Sequence, residues 1–318
     1  MTTINPLTTI DPAAIERGYL RSQESTARHG RTYYLGTRLL PLHRRRGVYA
    51  LYGFARMVDD VVDLPGHPDP VGALDTYENQ LFDTLAANPE PRPGLEPVEL
   101  QADPDTDEQI LALVDTIRRF DIPEPYFRAF MVSMRMDLPG SSVFKTRYRT
   151  IAELDEYMYG SASVIGLQML PILGTLDDEA ALAPATALGE AFQLTNFIRD
   201  VGEDLDRDRI YLPTDELAAF GVDEAMLFSA RQSGVTPPEL TRALAHCIAI
   251  TRHRYRLAEP GVALIEPRSR PAIRAAFELY RDILGEIEAA DHQIIGRRVS
   301  VGGRRRLRRA VAAVVTRR

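Results

Sequence analysis

Two aspartate-rich patches, each near the end of a long predicted helix, constrain the fold of this chain more than any other feature. The first acidic patch consists of Asp59 and Asp63, which are four residues apart. The second acidic patch repeats this spacing with Asn196, Asp200 and Asp204. Residues four apart lie on one face of an α-helix, where like charges destabilise the helix. The spacing is explained if a strongly cationic group lies between the two patches.

Magnesium chemistry suits this arrangement. Mg²⁺ prefers oxygen ligands, and proteins often hold it through one or two carboxylates while substrate phosphates and water complete the coordination. Two acidic patches that face each other across a helical cavity would therefore hold Mg²⁺ together with a diphosphate, and Mn²⁺ could replace it. Taken alone, the first patch could equally be a solvated helix end, so the argument depends on the pair.

Helical periodicity dominates the remaining sequence, and no run alternates as a strand should. The segment 88–107 is rich in proline and acids and is expected to be an exposed loop. A short helix is predicted near 223–231. The longer predicted helices cover residues 11–28, 43–63, 71–87, 107–119, 124–136, 151–173, 178–204, 237–258 and 269–293. We expect one all-α domain over residues 1–303, followed by a basic tail at 304–318.

Bulk composition excludes several classes of protein. The 318-residue chain is 45 % hydrophobic and carries a formal net charge of −7, so nucleic-acid binding is not expected. No apolar run approaches the roughly 20 residues that a membrane-spanning helix needs, and a signal-peptide pattern is not expected. Cys247 is the single cysteine, which excludes an internal disulfide and is typical of a reducing cytoplasm. We therefore expect a cytoplasmic protein.

Two strings resemble the squalene and phytoene synthase family. One runs from Gln193 to Pro213 and contains the second acidic patch, and the other runs from Tyr49 to Asp63 and contains the first. The resemblance extends from about His29 to Arg298. It implies a single-domain, isoprenoid-synthase-type helical bundle around a central cavity. It also implies that two allylic prenyl diphosphates are joined head to head in two ionisation steps, through a cyclopropylcarbinyl diphosphate.

The resemblance assigns roles to individual residues. It places Mg²⁺ and diphosphate at both acidic patches, that is at Asp59, Asp63, Asn196, Asp200 and Asp204, and it places Tyr157 near the reacting carbons. The positions that resemble the family's further substrate-contacting residues are His29, Arg31, Thr32, Tyr52, Arg56, Gln193, Arg199, Arg207, Tyr280 and Arg297. A structural alternative stays open for Arg207 and Arg209, which could form ion pairs with Asp204, Asp206 and Asp208.

A water-free lining is needed, because water would quench an allylic carbocation. The side chains expected to supply that lining are Phe54, Leu167, Leu170, Leu173, Phe192 and Phe197. The sequence Ser161–Gly166 departs from the family's frequent pattern. Within it, Ser163 and Val164 are expected to line the prenyl tunnel.

Residues 157–169 look more like carotenoid-pathway members than squalene synthases. The expected substrates are therefore two geranylgeranyl diphosphates. No strand–glycine-loop–helix element is visible, so no NAD(P)H is expected. Three alternatives stay open: a family member that uses farnesyl diphosphate to make dehydrosqualene or squalene, a terpene cyclase, and a non-catalytic member that acts as an assembly factor.

The basic tail predicts peripheral membrane contact. Nine arginines and no acid fall between Arg297 and Arg318, and a basic residue near an anionic surface contributes about 1 kcal/mol. Because such attraction is screened over about 8 Å at physiological salt, binding to anionic vesicles should fall as salt rises. Deletion of residues 304–318 should weaken it, as measured by flotation at two salt levels. Equal, salt-independent flotation of both proteins would instead point to an apolar surface elsewhere.

Overall fold

The computed structural model describes residues 7–63, 67–91 and 99–297, together with residues 299 and 302, and within α2 it leaves the side chains of residues 31–33 undescribed. The described part is an all-α fold, which confirms the predicted fold class. Its helices are α1 (Pro12–His29), α2 (Arg31–Thr37), α3 (Leu42–Asp63), α4 (Pro70–Ala87), α5 (Glu108–Phe120), α6 (Glu124–Met136), α7 (Ile151–Met158), α8 (Val164–Leu173), α9 (Asp178–Arg199), α10 (Val201–Asp206), α11 (Thr214–Ala218), α12 (Glu224–Ser233), α13 (Pro238–Ala258), α14 (Gly261–Leu264) and α15 (Arg270–Ala289).

Local capping chemistry explains where many of these helices begin. A side-chain oxygen of Asp11 accepts the backbone N–H of Ala13 at the start of α1, and Asp177 does the same for Ala180 at the start of α9. An aspartate at this position satisfies one of the amide groups that lack a partner inside the helix. At the other end, Gly234 ends α12 in the left-handed conformation, at φ 69°. The helix boundaries are therefore specified by the sequence itself.

The helices α3 and α9 run in the same direction and form two walls of a central cavity. Their starts are tied together because the Arg44 guanidinium pairs with Glu266 at 2.6 Å, and the Glu266 amide donates to the carbonyl of Gly174, just before α9. Their ends are tied together because Arg209, in the loop after α10, pairs with Asp63. The two acidic patches are therefore brought to the same end of the fold.

Two buried apolar clusters flank this cavity. One is built mainly from α1, α3–α6 and α8, and the other mainly from α7, α9 and the helices that follow. Each cluster contributes side chains to the cavity wall, so the cavity lies between the two halves of the core. Within the described ranges, no helix is long and apolar enough to cross a membrane.

The structure corrects three predicted segments. The helix predicted over 151–173 is interrupted by a π-helical turn at Tyr159–Ser163, and the one predicted over 178–204 breaks at Asp200, where φ is −101° and ψ is 9°. The segment 88–107 is not simply an exposed loop. In its described part, β2 (Gln101–Ala102) pairs antiparallel with β1 (Thr8–Thr9), and Leu100 is fully buried. The predicted boundary at residue 303 and the basic tail lie outside the described residues.

The π-helical turn is held by close backbone packing against α6. A Cβ atom at Gly160 would overlap with the carbonyl oxygen of Ala129 and the hydroxyl of Ser133. The Ser133 hydroxyl itself donates to the carbonyl of Tyr157 at 2.9 Å. Glycine at position 160 is therefore required by space, not by an unusual φ.

Gly160→Ala should destabilise the protein by about 1–3 kcal/mol, because overpacking a filled interior forces the backbone to move. Gly285→Ala is the matched control, because a Cβ atom at Gly285 in α15 meets nothing within 4 Å. That control should be neutral or stabilising by up to about 1 kcal/mol. Urea denaturation of both variants measures the difference, and equal stabilities would contradict the packing argument.

Candidate active site

The central cavity has a volume of about 610 Å³ and is polar at one end and apolar along the rest. Most of the predicted site residues line it. They are Tyr52, Arg56, Asp59, Asp63, Tyr157, Gln193, Asn196, Arg199, Asp200, Asp204, Arg207 and Tyr280. The structure thus gathers around one space residues as far apart in the sequence as Tyr52 and Tyr280.

The remaining predicted residues lie elsewhere. His29 is exposed at the end of α1 and Arg297 is exposed, with its Nε donating to the carbonyl of Gln293 at 3.2 Å. Neither lines the cavity as described. The side chains of Arg31 and Thr32 lie outside the described residues. Their predicted contacts with substrate stay predictions.

Ion pairs across the cavity connect the two patches. Arg207 and Arg209 contact Asp63, with nitrogen–oxygen distances of 3.3 and 3.1 Å. The alternative in which these arginines pair with Asp206 and Asp208 is wrong, because Asp206 pairs with Arg231 and Asp208 pairs with Arg147. The Arg207–Arg209 segment therefore bridges the end of α3 to the end of α10.

One carboxyl group in each acidic patch has a raised pKa, because its charged form is disfavoured. Removal from bulk water, and then the charge of Asp63, raise the pKa of Asp59 to about 7. Burial, and then the charge of Asp200, raise the pKa of Asp204 to about 8, and Asp63 across the cavity contributes in the same direction. Two acids whose charged forms are disfavoured in this way lie where an added cation would stabilise them.

The donor set fits Mg²⁺. The Asn196 side-chain oxygen is buried and has no hydrogen-bond partner among the described residues, which leaves a carbonyl-type ligand available. Nowhere in residues 7–63, 67–91 and 99–297 do three His, Cys, Asp or Glu side chains gather closely enough to hold a metal by themselves. The Asn196 oxygen fits the preference of Mg²⁺ for oxygen ligands.

The arginines of the site are paired with carboxylates. Arg199 forms a two-pronged ion pair with Asp200, at 2.7 and 2.5 Å, and Arg56 pairs with Asp60. The Nε of Arg56 is buried and without a hydrogen-bond partner in the described part of the chain. Guanidinium groups match phosphate as well as carboxylate geometry, so these side chains are suited to either kind of partner.

Tyr157 belongs to a buried network that the sequence did not reveal. Its hydroxyl donates to Asp137 at 2.5 Å, and the Tyr211 hydroxyl donates to the other oxygen of Asp137 at 2.8 Å. Arg209 donates to the Asp137 carbonyl at 2.9 Å. Burial raises the pKa of Asp137 and, well above its ordinary value, that of Tyr157. The network fixes the Tyr157 ring at the cavity wall.

Two of the residues predicted to form the apolar wall do not line the cavity. Leu170, Leu173, Phe192 and Phe197 line the cavity as expected. Phe54 instead packs on Phe130, with ring centroids 6.0 Å apart, and Leu167 is buried in the core.

The residues expected to line the prenyl tunnel are also displaced. The Ser163 hydroxyl donates to Glu190 at 3.3 Å and Val164 is fully buried, while Ser161, Ala162 and Ile165 line the cavity in their place. The extra residue of the π-helical turn accounts for this shift, because it rotates the helix that follows.

Comparisons with known proteins agree with this geometry. The squalene/phytoene synthase family model matches residues 26–305. A phytoene synthase of Arthrospira platensis is 36 % identical over 303 residues, which cover 91 % of this chain and 90 % of that protein. A 15-cis-phytoene synthase of Synechocystis is 34 % identical over 301 residues, covering 91 % of this chain and 82 % of that protein. The chain belongs to the squalene/phytoene synthase family, as its sequence predicted.

Solved structures show the same fold. The structure of a dehydrosqualene synthase in complex with a ligand has a TM-score of 0.80 at 25 % identity, over 96 % of this chain and 99 % of that one. A squalene synthase of Alicyclobacillus acidocaldarius has a TM-score of 0.73 at 24 % identity, over 89 % of this chain and 97 % of that one, and supports the fold alone. The predicted isoprenoid-synthase-type bundle is thereby confirmed.

Asp59→Asn should stabilise the metal-free protein. The folded-state pKa of Asp59, about 7, lies above the ordinary value of 3.8. A carboxyl group whose folded-state pKa is raised destabilises the fold increasingly as pH rises from about 4 to about 7. At pH 8 in a chelator, removing the charge should gain on the order of 1 kcal/mol, or about 2–4 °C in Tm. The gain should disappear towards pH 4, as measured by thermal denaturation.

Asp83→Asn is the matched control, because Asp83 is an exposed helix residue. Its Tm should equal that of the unmodified protein at both pH values. A lowered Tm for Asp59→Asn at pH 8 would contradict the conclusion that the charge of Asp59 destabilises the metal-free protein.

Proposed function

We propose that the protein is a prenyltransferase of carotenoid biosynthesis that joins two geranylgeranyl diphosphates head to head. The first step forms prephytoene diphosphate and releases one diphosphate and a proton. The second ionises prephytoene diphosphate, releases the second diphosphate and a proton, and gives phytoene. The single observation that carries this proposal is the meeting of both acidic patches at the polar end of one apolar cavity. The relatives named phytoene synthase, 34–36 % identical over about nine-tenths of the chain, support the same reaction.

The acidic patches would hold Mg²⁺, through Asp59 and Asp63 on one side and Asn196, Asp200 and Asp204 on the other. When bound, the metal supplies Lewis-acid stabilisation of the negative charge that develops on the leaving diphosphate. The protein's part is to fix these ligands at the end of two rigid helices.

Arginine side chains would take the diphosphate when the carboxylates turn to the metal. Arg199 and Asp200 neutralise each other in the structure, as Arg207 and Asp63 do. Once a cation engages the carboxylates, the guanidinium groups are free to donate to diphosphate oxygens. This exchange of partners keeps each buried charge compensated before and after substrate binds, which avoids the cost of an unpaired buried ion.

The apolar part of the cavity protects the carbocation. Leu170, Leu173 and Phe192 face it, and such a wall excludes water that would capture the cation. The aromatic faces of Tyr157 and Phe197, whose rings lie 6.2 Å apart, add cation–π attraction. Because the Tyr157 hydroxyl donates its hydrogen to Asp137, its oxygen lone pairs remain for the cavity side. The departed diphosphate is the proposed proton acceptor.

The product assay is the direct test of the proposal. Purified protein with Mg²⁺ and geranylgeranyl diphosphate alone should give a C40 hydrocarbon, because head-to-head joining to phytoene needs no reductant. Farnesyl diphosphate, offered in a parallel assay, should be the poorer substrate. A strict requirement for NADPH, or faster formation of C30 products, would move the assignment towards the squalene or dehydrosqualene synthases. No product from any prenyl diphosphate would favour a non-catalytic assembly role.

Asp63→Asn and Asp200→Asn should each lower turnover at least about 100-fold, which is the loss expected when one preorganised electrostatic group is removed. The helical fold should be retained, because each side chain lies at the cavity wall and not in the packed core. Steady-state kinetics with circular dichroism measures both effects, and the exposed Asp83→Asn variant is the control. Turnover near that of the unmodified protein in either variant would exclude the patch as a metal site.

A further inference from the structure

The helix α10 carries Asp204 of the second acidic patch but has only six residues. Isolated helices shorter than about 12–15 residues are marginal in water, so contacts with other segments must hold α10 in place. On the cavity side, Arg207 and Arg209 of the following loop pair with Asp63. A different set of contacts, centred on Arg231 of α12, holds the side of α10 that faces away from the cavity.

The Arg231 guanidinium joins three segments of the chain behind α10. Its Nε and one terminal nitrogen donate to the two carboxylate oxygens of Asp206, at 2.9 and 2.5 Å. Its other terminal nitrogen donates to the backbone carbonyl of Ile295 at 2.6 Å. Asp206 is the last residue of α10, and Ile295 follows the end of α15. Arginine suits this position, because its donors form a rigid planar fork.

Residues 290–297, which we call the return segment, fold back from the end of α15 towards α10 and α12. Two successive residues with positive φ, Asp291 at 51° and His292 at 59°, turn the chain there. The Gln293 side chain then forms two hydrogen bonds with the backbone of Thr236, at 3.1 and 3.2 Å. The return segment is therefore held by contacts of its own and offers α10 a fixed support.

The backbone of α10 lies directly against this support. A Cβ atom at Gly202 would lie 2.3 Å from the carbonyl oxygen of Ile295 and 2.9 Å from a guanidinium nitrogen of Arg231. Both separations are far below van der Waals contact, so only glycine lets α10 come this close. One carbonyl oxygen thus fixes the helix backbone and Arg231 together. A change at Gly202 or at Arg231 should therefore displace α10, and Asp204 with it.

We propose that Arg231 is a positioning residue for the metal site, because it holds α10 and Asp204 against the return segment. This inference rests on the proposed function, in which both acidic patches hold the cation. In that function the pair between Arg207 and Asp63 is given up when Asp63 turns to the metal. The contacts of Arg231 lie outside the cavity as described, so they remain to hold α10 while the metal is bound.

Binding of Mn²⁺ together with inorganic pyrophosphate, measured by calorimetry, tests this role without any turnover. Arg231→Gln should weaken Mn²⁺ binding at least about tenfold, which is the loss expected when a group that supports a metal ligand is removed. Charge alone predicts the opposite sign, because losing a positive side chain near the site should favour a cation. The direction of the change therefore separates positioning from electrostatics.

Two variants that keep every charge should give the same result. Arg231→Lys retains the positive charge but lacks the fork that reaches both partners, and Gly202→Ala pushes α10 away from the Ile295 carbonyl. Both should weaken Mn²⁺ binding. Circular dichroism in a chelator verifies that each variant is folded at the temperature of the binding assay, and any one folded variant of the three suffices for the test.

Matched controls are available for both kinds of change. Arg252 pairs with Glu288 at 2.6 Å and joins α13 to α15, so Arg252→Gln removes an ion pair between helices without touching α10. Gly285→Ala adds a methyl group where a Cβ atom meets nothing within 4 Å. Both controls should bind Mn²⁺ like the unmodified protein.

The outcomes distinguish this inference from the proposed function. Mn²⁺ binding by folded Arg231→Gln, Arg231→Lys or Gly202→Ala that equals or exceeds that of the unmodified protein would overturn the positioning role and leave the proposed function standing. Absence of Mn²⁺ binding by the unmodified protein would overturn both, because no metal site would remain to be positioned. Loss of prenyl transfer activity alone would leave the binding result, and hence the role of Arg231, unaffected.

Discussion

The removal of several carboxyl groups from bulk water at one end of the cavity is the constraint on which the rest of the structure depends. Asp59 and Asp204 both have raised pKa values because burial and a like-charged neighbour disfavour their ionised forms. The fold tolerates this cost by bringing Arg207 and Arg209 to Asp63 across the cavity. Those ion pairs hold the loop after α10 onto α3, so the same contacts offset negative charge at the site and close the cavity.

Most of the fold could be predicted because its signals are local. Apolar residues with helical spacing and turn-rich breaks predicted the long helices, and the i, i+4 spacing predicted both acidic patches. The spacing survives the break at Asp200, since the amides of Asp200 and Asp204 still donate to residues four positions earlier. The break itself follows from the Arg199–Asp200 pair: adjacent residues on a continuous helix point apart, so a two-pronged contact between them favours departure from helical geometry.

The parts of the site that were not predicted depend on contacts between distant segments. Asp137 follows the end of α6 and carries no local sign that Tyr157 and Tyr211 will share its two oxygens. The π-helical turn likewise has no periodic signature, yet it decides that Ser161 and Ala162 line the cavity where Ser163 and Val164 were expected. One inserted residue changes which side chains face a tunnel, and such a shift is visible only once α6 and α9 are packed around it.

The parallel course of α3 and α9 has a consequence for the order of events at the site. Each α-helix carries a macrodipole whose negative end is its C-terminus. Because α3 ends at Asp63 and α9 at Arg199, two negative helix ends converge where the carboxylates already crowd, and a diphosphate approaching this end alone would meet a repulsive field. If Mg²⁺ and a diphosphate bind here as proposed, the cation is expected to arrive before the diphosphate or together with it, so the direction of two helices would impose a binding sequence on the reaction.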